Sequence, residues 1–273
     1  MSTFPFPHPE APYVPGAGTA GQARLKLLQV IAGPGTARAM RSAGLGRGAR
    51  AVDVGCGTGT VTRQIADIVG SIGHVTGLDA SPEQIEIARR DAPGFEQVRF
   101  VVASAYDTKL AHGSFDFAYC RFVLCHLERP ALALLEMFNL LRPGGRMLCE
   151  EQEASTLTSV PATEAYANCA CRELDFARRR GVDADIGMHL PHMMRELGLV
   201  DVEVSIWQPA FFRGDEKRFH EFTIAESIPQ LVASGLTTPA ELEPRLRAIR
   251  AVNDDESVLV VLPRIWQVLG RRH

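Results

Sequence analysis

The sequence predicts an α/β fold, a mostly parallel, doubly wound sheet with helices on its faces. Three observations carry it. Strand-like apolar runs alternate with helix-like periodic ones between residues 50 and 150. A glycine-rich turn joins the first such strand directly to its helix. Pro and Gly punctuate the later units at the ends of the periodic segments.

The first strand is Ala51, Val52 and Val54, followed by Gly55, Gly57 and Gly59, and then by Val61, Ile65, Ile68 and Val69 at helical spacing. A strand, a bare backbone turn and a helix N-terminus form a nucleotide site of the Rossmann type. The dinucleotide fingerprint places its last glycine at position 60, where this chain has Thr60. The second unit runs His74–Asp79 and then Ser81-Pro82-Glu83-Gln84, an N-cap, a first-turn proline and a capping-box partner. Asp79, at the end of that strand, is placed to accept both hydroxyls of a ribose, or else is a helix-start acid. Strand three is Val98–Val102 and strand four Phe115–Arg121. A helix spans about 130–141 with Leu132, Leu135 and Phe138 at core spacing, and strand five runs Arg146–Cys149, with Glu150 at its carboxyl end.

Before this unit, Pro5, Pro7, Pro9, Pro12 and Pro15 make residues 1–19 extended. A helix over about 21–32 presents Leu25, Leu28 and Ile31, is broken at Gly33-Pro34-Gly35, and is followed by a shorter helix to Ala43. After residue 155 come helices over 161–180 and 185–197, a strand from Val200 to Trp207, and helices over 215–233 and 239–251. The run from Ser257 to Leu269, interrupted by Pro263, reads as a last strand. The expected organisation is an extended segment with lid helices over 1–45, a cofactor-binding core over 46–155, and helical cap insertions with the last strands of the same sheet over 156–273.

The chain has 273 residues, a net charge of −3 and 46% hydrophobic residues, which supports a full core and gives no global field for nucleic acid or an anionic membrane. No apolar run is long enough to span a bilayer, and secretion is not expected from the opening residues. Six cysteines without a Cys-x-x-Cys pair read as reduced thiols, so the expected location is cytoplasmic and no metal is expected.

The order Asp53-x-Gly55-x-Gly57-x-Gly59, Ser114-Phe115-Asp116 and Leu141-Arg142-Pro143-Gly144-Gly145 resembles that of the class I S-adenosylmethionine-dependent methyltransferases. The resemblance covers residues 50–150. It implies a Rossmann-like sheet with an antiparallel last strand, S-adenosylmethionine as cofactor with S-adenosylhomocysteine as its product, and a small-molecule acceptor methylated at O, N or C. An aromatic natural-product intermediate of secondary metabolism fits that acceptor class. It further implies cofactor contacts from Asp53, Gly55, Gly57, Gly59, Asp79 and Ala80. Ser104 stands where the family usually has an acid, leaving backbone groups of Ser104 and Ala105 to meet the adenine, with Asp107 badly spaced to substitute. Arg121 falls beside the methionine moiety, and Tyr13 matches relatives that close a tyrosine over the cofactor. Arg121 as a surface arginine and Tyr13 as a loop anchor are the bland alternatives.

For catalysis the candidates are Glu150, at the mouth of strand five, then His126, with Tyr13 closing the site. Some relatives need no base, since positioning suffices. His189 and His192 share a helix face but lack a third ligand. Phe176, Trp207, Phe211, Phe212, Phe219 and Phe222 line an apolar acceptor pocket or form ordinary core. Rival functions are a non-methylating cyclase or scaffold that keeps the cofactor, and an NAD-dependent oxidoreductase, which Thr60 disfavours. A monomer or homodimer is expected.

Overall fold

The computed structural model describes residues 18–233 and 237–273. Tyr13 and nearly all of the segment 1–19 lie outside the described residues. In chain order the elements are α1 (Gly18–Ser42), β1 (Arg50–Val54), α2 (Thr60–Val69), β2 (His74–Asp79), α3 (Pro82–Arg90), β3 (Val98–Val102) and β4 (Phe115–Arg121). There follow α4 (Pro130–Leu140), β5 (Leu141–Glu153), β6 (Thr158–Val160), α5 (Glu164–Arg179), α6 (Ile186–Glu196), β7 (Leu199–Trp207) and β8 (Ala210–Phe211). The chain closes with α7 (Phe219–Ala233), α8 (Pro239–Asp254), β9 (Leu259–Val261) and β10 (Arg264–Arg272).

Seven strands form the main sheet in the order β3-β2-β1-β4-β5-β10-β7. The first five are parallel to one another, and β10 runs antiparallel to both β5 and β7. Strand order reverses between β1 and β4, the point at which open α/β sheets leave a crevice at their carboxyl ends. Successive residues of β1 feed opposite faces: Ala51 packs with Ile65, Val69 and Phe117, while Val52 and Val54 pack with Leu134, Met137 and Leu190. A second, three-stranded sheet, β6-β9-β8, lies with α5 and α8 in a separate apolar cluster around Tyr166 and Val260.

Four sequence expectations are corrected. The helix does not break at Pro34, because Leu28, Ala32, Thr36 and Met40 form one buried stripe at four-residue spacing and tertiary burial holds α1 through the proline. In α4 the buried stripe is Ala133, Leu134, Met137 and Leu140, while Leu132 and Leu135 are 43% and 42% exposed. Apolar residues occupy both stripes of that helix, so periodicity alone cannot choose between them. The last strand is β10, beyond Pro263; the Val-Leu-Val-Val run before it supplies β9 of the small sheet. β5 also starts earlier than expected, at Leu141, across an irregularity opposite Phe115 and Phe117.

Candidate active site

The turn after β1 is built for close approach. Gly57 has φ +53° and nothing within 4 Å of where a Cβ would stand, so its face is open. Its amide donates to Asp79 Oδ2 at 2.9 Å, and Ser81 N donates to Oδ1 of the same carboxylate at 2.9 Å. Burial pushes the Asp79 carboxyl up, against the backbone amides that favour its charge. Ser81 Oγ in turn accepts from Gln84 N at 3.3 Å, capping α3. Asp53 is 2% exposed, accepts from Thr62 Oγ1 at 2.6 Å, and is pushed by burial up to about 7, with Arg121 opposing.

These groups open into a cavity of about 1540 Å³. Asp53, Gly55, Gly57, Asp79, Ala80, Ser104, Ala105 and Arg121 all line its sheet side, at the carboxyl ends of β1 to β4. The opposite wall comes from α1, α5, α7 and α8, with Leu25, Leu28 and Ile31 of α1 among its apolar groups. Gly59 is the exception among the expected contacts. It lies outside the lining, and a Cβ there would stand 2.7 Å from the Phe100 ring, so it serves helix–sheet packing. At the end of β3, Ser104 Oγ accepts from Tyr106 N, and Asp107 pairs with Lys109 outside the cavity lining. The third strand end therefore offers no carboxylate to a ligand.

The expected base is displaced. Glu150 is fully buried beneath α1, where it accepts from Thr36 Oγ1 at 2.8 Å, and it lies outside the cavity lining. Two residues further along β5, Gln152 does line the cavity and donates to Glu173 Oε1 of α5 at 3.0 Å. Burial pushes the Glu173 carboxyl up to about 6, with Asp185 adding to the rise and Arg24 opposing it. Sequence reasoning missed Glu173; it is one of three acids of the predicted helix, with Glu164 and Asp175, and no motif singles it out. His126 lines the cavity, held neutral by burial and by the fields of Arg180 and Arg24, which bring it down to about 3. His220, also missed, is 3% exposed and is brought down to about 4 by burial and Arg24.

Of the six aromatic candidates, Phe176 and Phe219 line the cavity. Trp207 packs on Gly35 of α1, and Phe212 is exposed. His189 pairs with Asp183 at the surface. Among the described residues no cluster of His, Cys, Asp or Glu is arranged to hold a metal, and no helix is long and apolar enough to cross a membrane. All six cysteines are free thiols.

A seven-strand sheet with one antiparallel strand, carrying a glycine turn and an acid at the end of the next strand, defines a class I methyltransferase architecture. Residues 52–149 match the family model described as a methyltransferase domain. Demethylmenaquinone methyltransferase of Staphylococcus aureus (strain MRSA252) is 36% identical over 120 residues, which cover 44% of this chain and 50% of that protein. The chain thus spans about half the length of the curated relatives it matches. Phosphoethanolamine N-methyltransferase 2 of Haemonchus contortus, solved with phosphomonomethylethanolamine and S-adenosylhomocysteine, superposes with a TM-score of 0.54 at 17% identity, over 92% of this chain and 52% of that one. The [4+2]-cyclase SpnF superposes at 0.51 with 19% identity, over 94% and 84%. These two likenesses are of fold alone. Residues 52–149 thus carry a methyltransferase domain, set within the seven-strand sheet.

Proposed function

We propose that the protein transfers a methyl group from S-adenosylmethionine to a small-molecule acceptor held between the sheet and the cap. The observation that carries this reading is the open face at Gly57, beside the amide-anchored carboxylate of Asp79, at one side of a cavity larger than a single ligand needs. A carboxylate has about four lone-pair sites. Two of those of Asp79 take backbone amides, and the others are left for ribose hydroxyls. Ala80, Ser104 and Ala105 flank the adenine position, Asp53 lies at the floor, and Arg121 faces the methionine carboxylate. Gly57 keeps the backbone clear of the ligand, Gly55 makes room for the Val123 side chain, and Gly59 makes room for the Phe100 ring.

When bound, S-adenosylmethionine supplies a methyl carbon already activated by the positive sulfur. The chain's own work is then alignment, which is worth several kcal/mol, and exclusion of water by α1, α5, α7 and α8. Where the acceptor must lose a proton, Glu173, raised by burial to about 6, is the cavity-lining group best matched to take it, whereas burial and the fields of Arg180 and Arg24 oppose protonation of His126. Glu150, enclosed under α1, is not proposed as that base.

Calorimetric titration of the protein with S-adenosylhomocysteine and, separately, with NAD tests the cofactor. Binding of the first and not the second is expected; the reverse ends the methyltransferase reading. Transfer of labelled methyl to a panel of metabolites then separates an enzyme from a cyclase or scaffold that only keeps the cofactor.

A further inference from the structure

Arg121 is the last residue of β4, and its side chain is tied to α1. Nη1 donates to Thr36 Oγ1 at 3.2 Å and Nη2 donates to Gln29 Oε1 at 3.1 Å. Thr36 is itself fully buried, and its hydroxyl donates to Glu150 Oε2 at 2.8 Å. A hydroxyl has one proton and two lone pairs. With the proton directed at Glu150, the lone pairs are left for Arg121, so Glu150 decides which way Thr36 presents itself.

Strand register makes the arrangement rigid. Arg121 and Glu150 are direct neighbours across β4 and β5, and Gln267 is the neighbour of Glu150 on β10. The guanidinium also lies in the fields of two buried acids, Asp53 and Glu150, and favours the charged form of each. A guanidinium carries five N–H donors. Two are used on α1, which leaves three for a ligand in the cavity that Arg121 lines.

We propose that Thr36 and Glu150 are positioning residues that act through Arg121, fixing its guanidinium where it receives the carboxylate of the bound cofactor and making α1 part of the cofactor site. The proposal rests on the methyl-transfer reading above and gives Glu150 a task other than proton removal. α1 is suited to it. Gln64 of α2 donates to Gly33 O at 2.9 Å, inside the turn of α1 that precedes Thr36, so the helix is pinned on both sides of the cofactor turn. A loss of Thr36 Oγ1 frees the guanidinium to sample other rotamers, and cofactor binding must then bear the cost of ordering it.

The test is calorimetric titration of the full chain with S-adenosylhomocysteine, with thermal midpoints measured alongside. Arg121→Met is expected to weaken binding about ten-fold, the scale for hydrogen bonds to a charged group. Thr36→Val is expected to weaken it about five-fold, whereas Thr36→Ser, which keeps the hydroxyl, stays within about two-fold of the parent. Glu150→Met, which removes the acceptor, follows Thr36→Val; Glu150→Gln, which keeps a carbonyl oxygen, follows Thr36→Ser. The double variant Thr36→Val/Arg121→Met binds no more weakly than Arg121→Met alone, a non-additivity that general loosening of the fold would not produce. Parent-like affinity in Thr36→Val, or losses that multiply in the double variant, overturns the positioning role. If Thr36→Val fails to fold, the Glu150→Met and Glu150→Gln pair decides in the same way. Failure of the parent protein itself to bind S-adenosylhomocysteine removes the functional reading and this inference together, and is distinguished by that one titration.

Discussion

The two walls of the cavity are held by different means. On the sheet side the backbone places the acid, with Gly57 N and Ser81 N fixing the Asp79 carboxylate; Arg121 is the exception, set beside Glu150 by strand register but held at its guanidinium by Thr36 and Gln29 of α1. On the cap side, side chains place other side chains: Arg24 with Glu226 at 2.5 Å, Gln152 with Glu173 at 3.0 Å, and Tyr166 with Asn253 at 2.8 Å. Backbone placement leaves few substitutions neutral, because each disturbs the chain itself. Side-chain placement can be remade residue by residue. The sheet wall therefore suits a ligand common to many reactions and the cap wall one particular to this protein.

The largest break in that contrast is Gly59→Val. It puts a branched side chain at φ +73° and drives its Cβ to within 2.7 Å of Phe100. Backbone strain and overpacking together cost about 3 kcal/mol or more. A urea titration reads the loss, and a midpoint equal to the parent's contradicts the packing role assigned to Gly59. Next comes Asp79→Ala, which leaves Gly57 N and Ser81 N without their acceptor and removes the proposed ribose contact. S-adenosylhomocysteine affinity is expected to fall about ten-fold or more. Unchanged affinity in calorimetry refutes the ribose assignment.

How far each wall was legible follows from the same contrast. The glycine turn, Asp79, Ser81 as a cap and the parallel strands are local patterns, and the chain folds as those patterns say. Glu150 was misplaced because alternation along β5 tells which face a residue joins but not where α1 ends its cover; Glu150 falls under Thr36 and Gln152 two residues later falls beyond it. Pro34 misled for a related reason, since the buried stripe that carries α1 through it depends on contacts with the sheet. Glu173 and His220 carried no motif at all. They become site candidates only when α5 and α7 are folded over the sheet, which no short-range pattern encodes.

A variant confined to the cap sharpens the comparison from the other side. Tyr166 is fully buried, donates to Asn253 Oδ1, and lies outside the cavity lining; Asn253 Nδ2 donates in turn to Glu221. Tyr166→Phe leaves a buried carbonyl oxygen unpaired and is expected to cost about 1–2 kcal/mol. S-adenosylhomocysteine affinity should stay at the parent's value. A parallel fall in affinity would mean that the two walls are coupled more tightly than the bonds of Arg121 and Gln152 to α1 and α5 imply.

The smallest effect is a pair of opposed pH slopes, one from each wall. Asp53, on the sheet side, has its carboxyl raised from 3.8 to about 7. Between those values the folded chain binds more protons than the unfolded one, so this group lowers stability as pH rises through the window. His220, on the cap side, is lowered from 6.5 to about 4, with Arg24 facing it. Between those values the unfolded chain binds more protons, so this group lowers stability as pH falls. Asp53→Asn keeps an acceptor for Thr62 and removes the first slope, so its thermal midpoint should gain on the parent's more at about pH 8 than at about pH 5. His220→Gln should show the reverse, gaining more at about pH 5. One proton is worth at most about 1.4 kcal/mol per pH unit, and 1 kcal/mol moves the midpoint about 2–4 °C in a chain of this size, so each slope should change by at most about 3–6 °C per unit. Glu151, raised to about 7, and His126, lowered to about 3, remain in both variants, so the limbs flatten without vanishing. Parallel curves for Asp53→Asn and the parent would mean that Asp53 meets enough solvent or cation to stay ionised at no cost, and the floor of the site would then be wetter than its burial indicates.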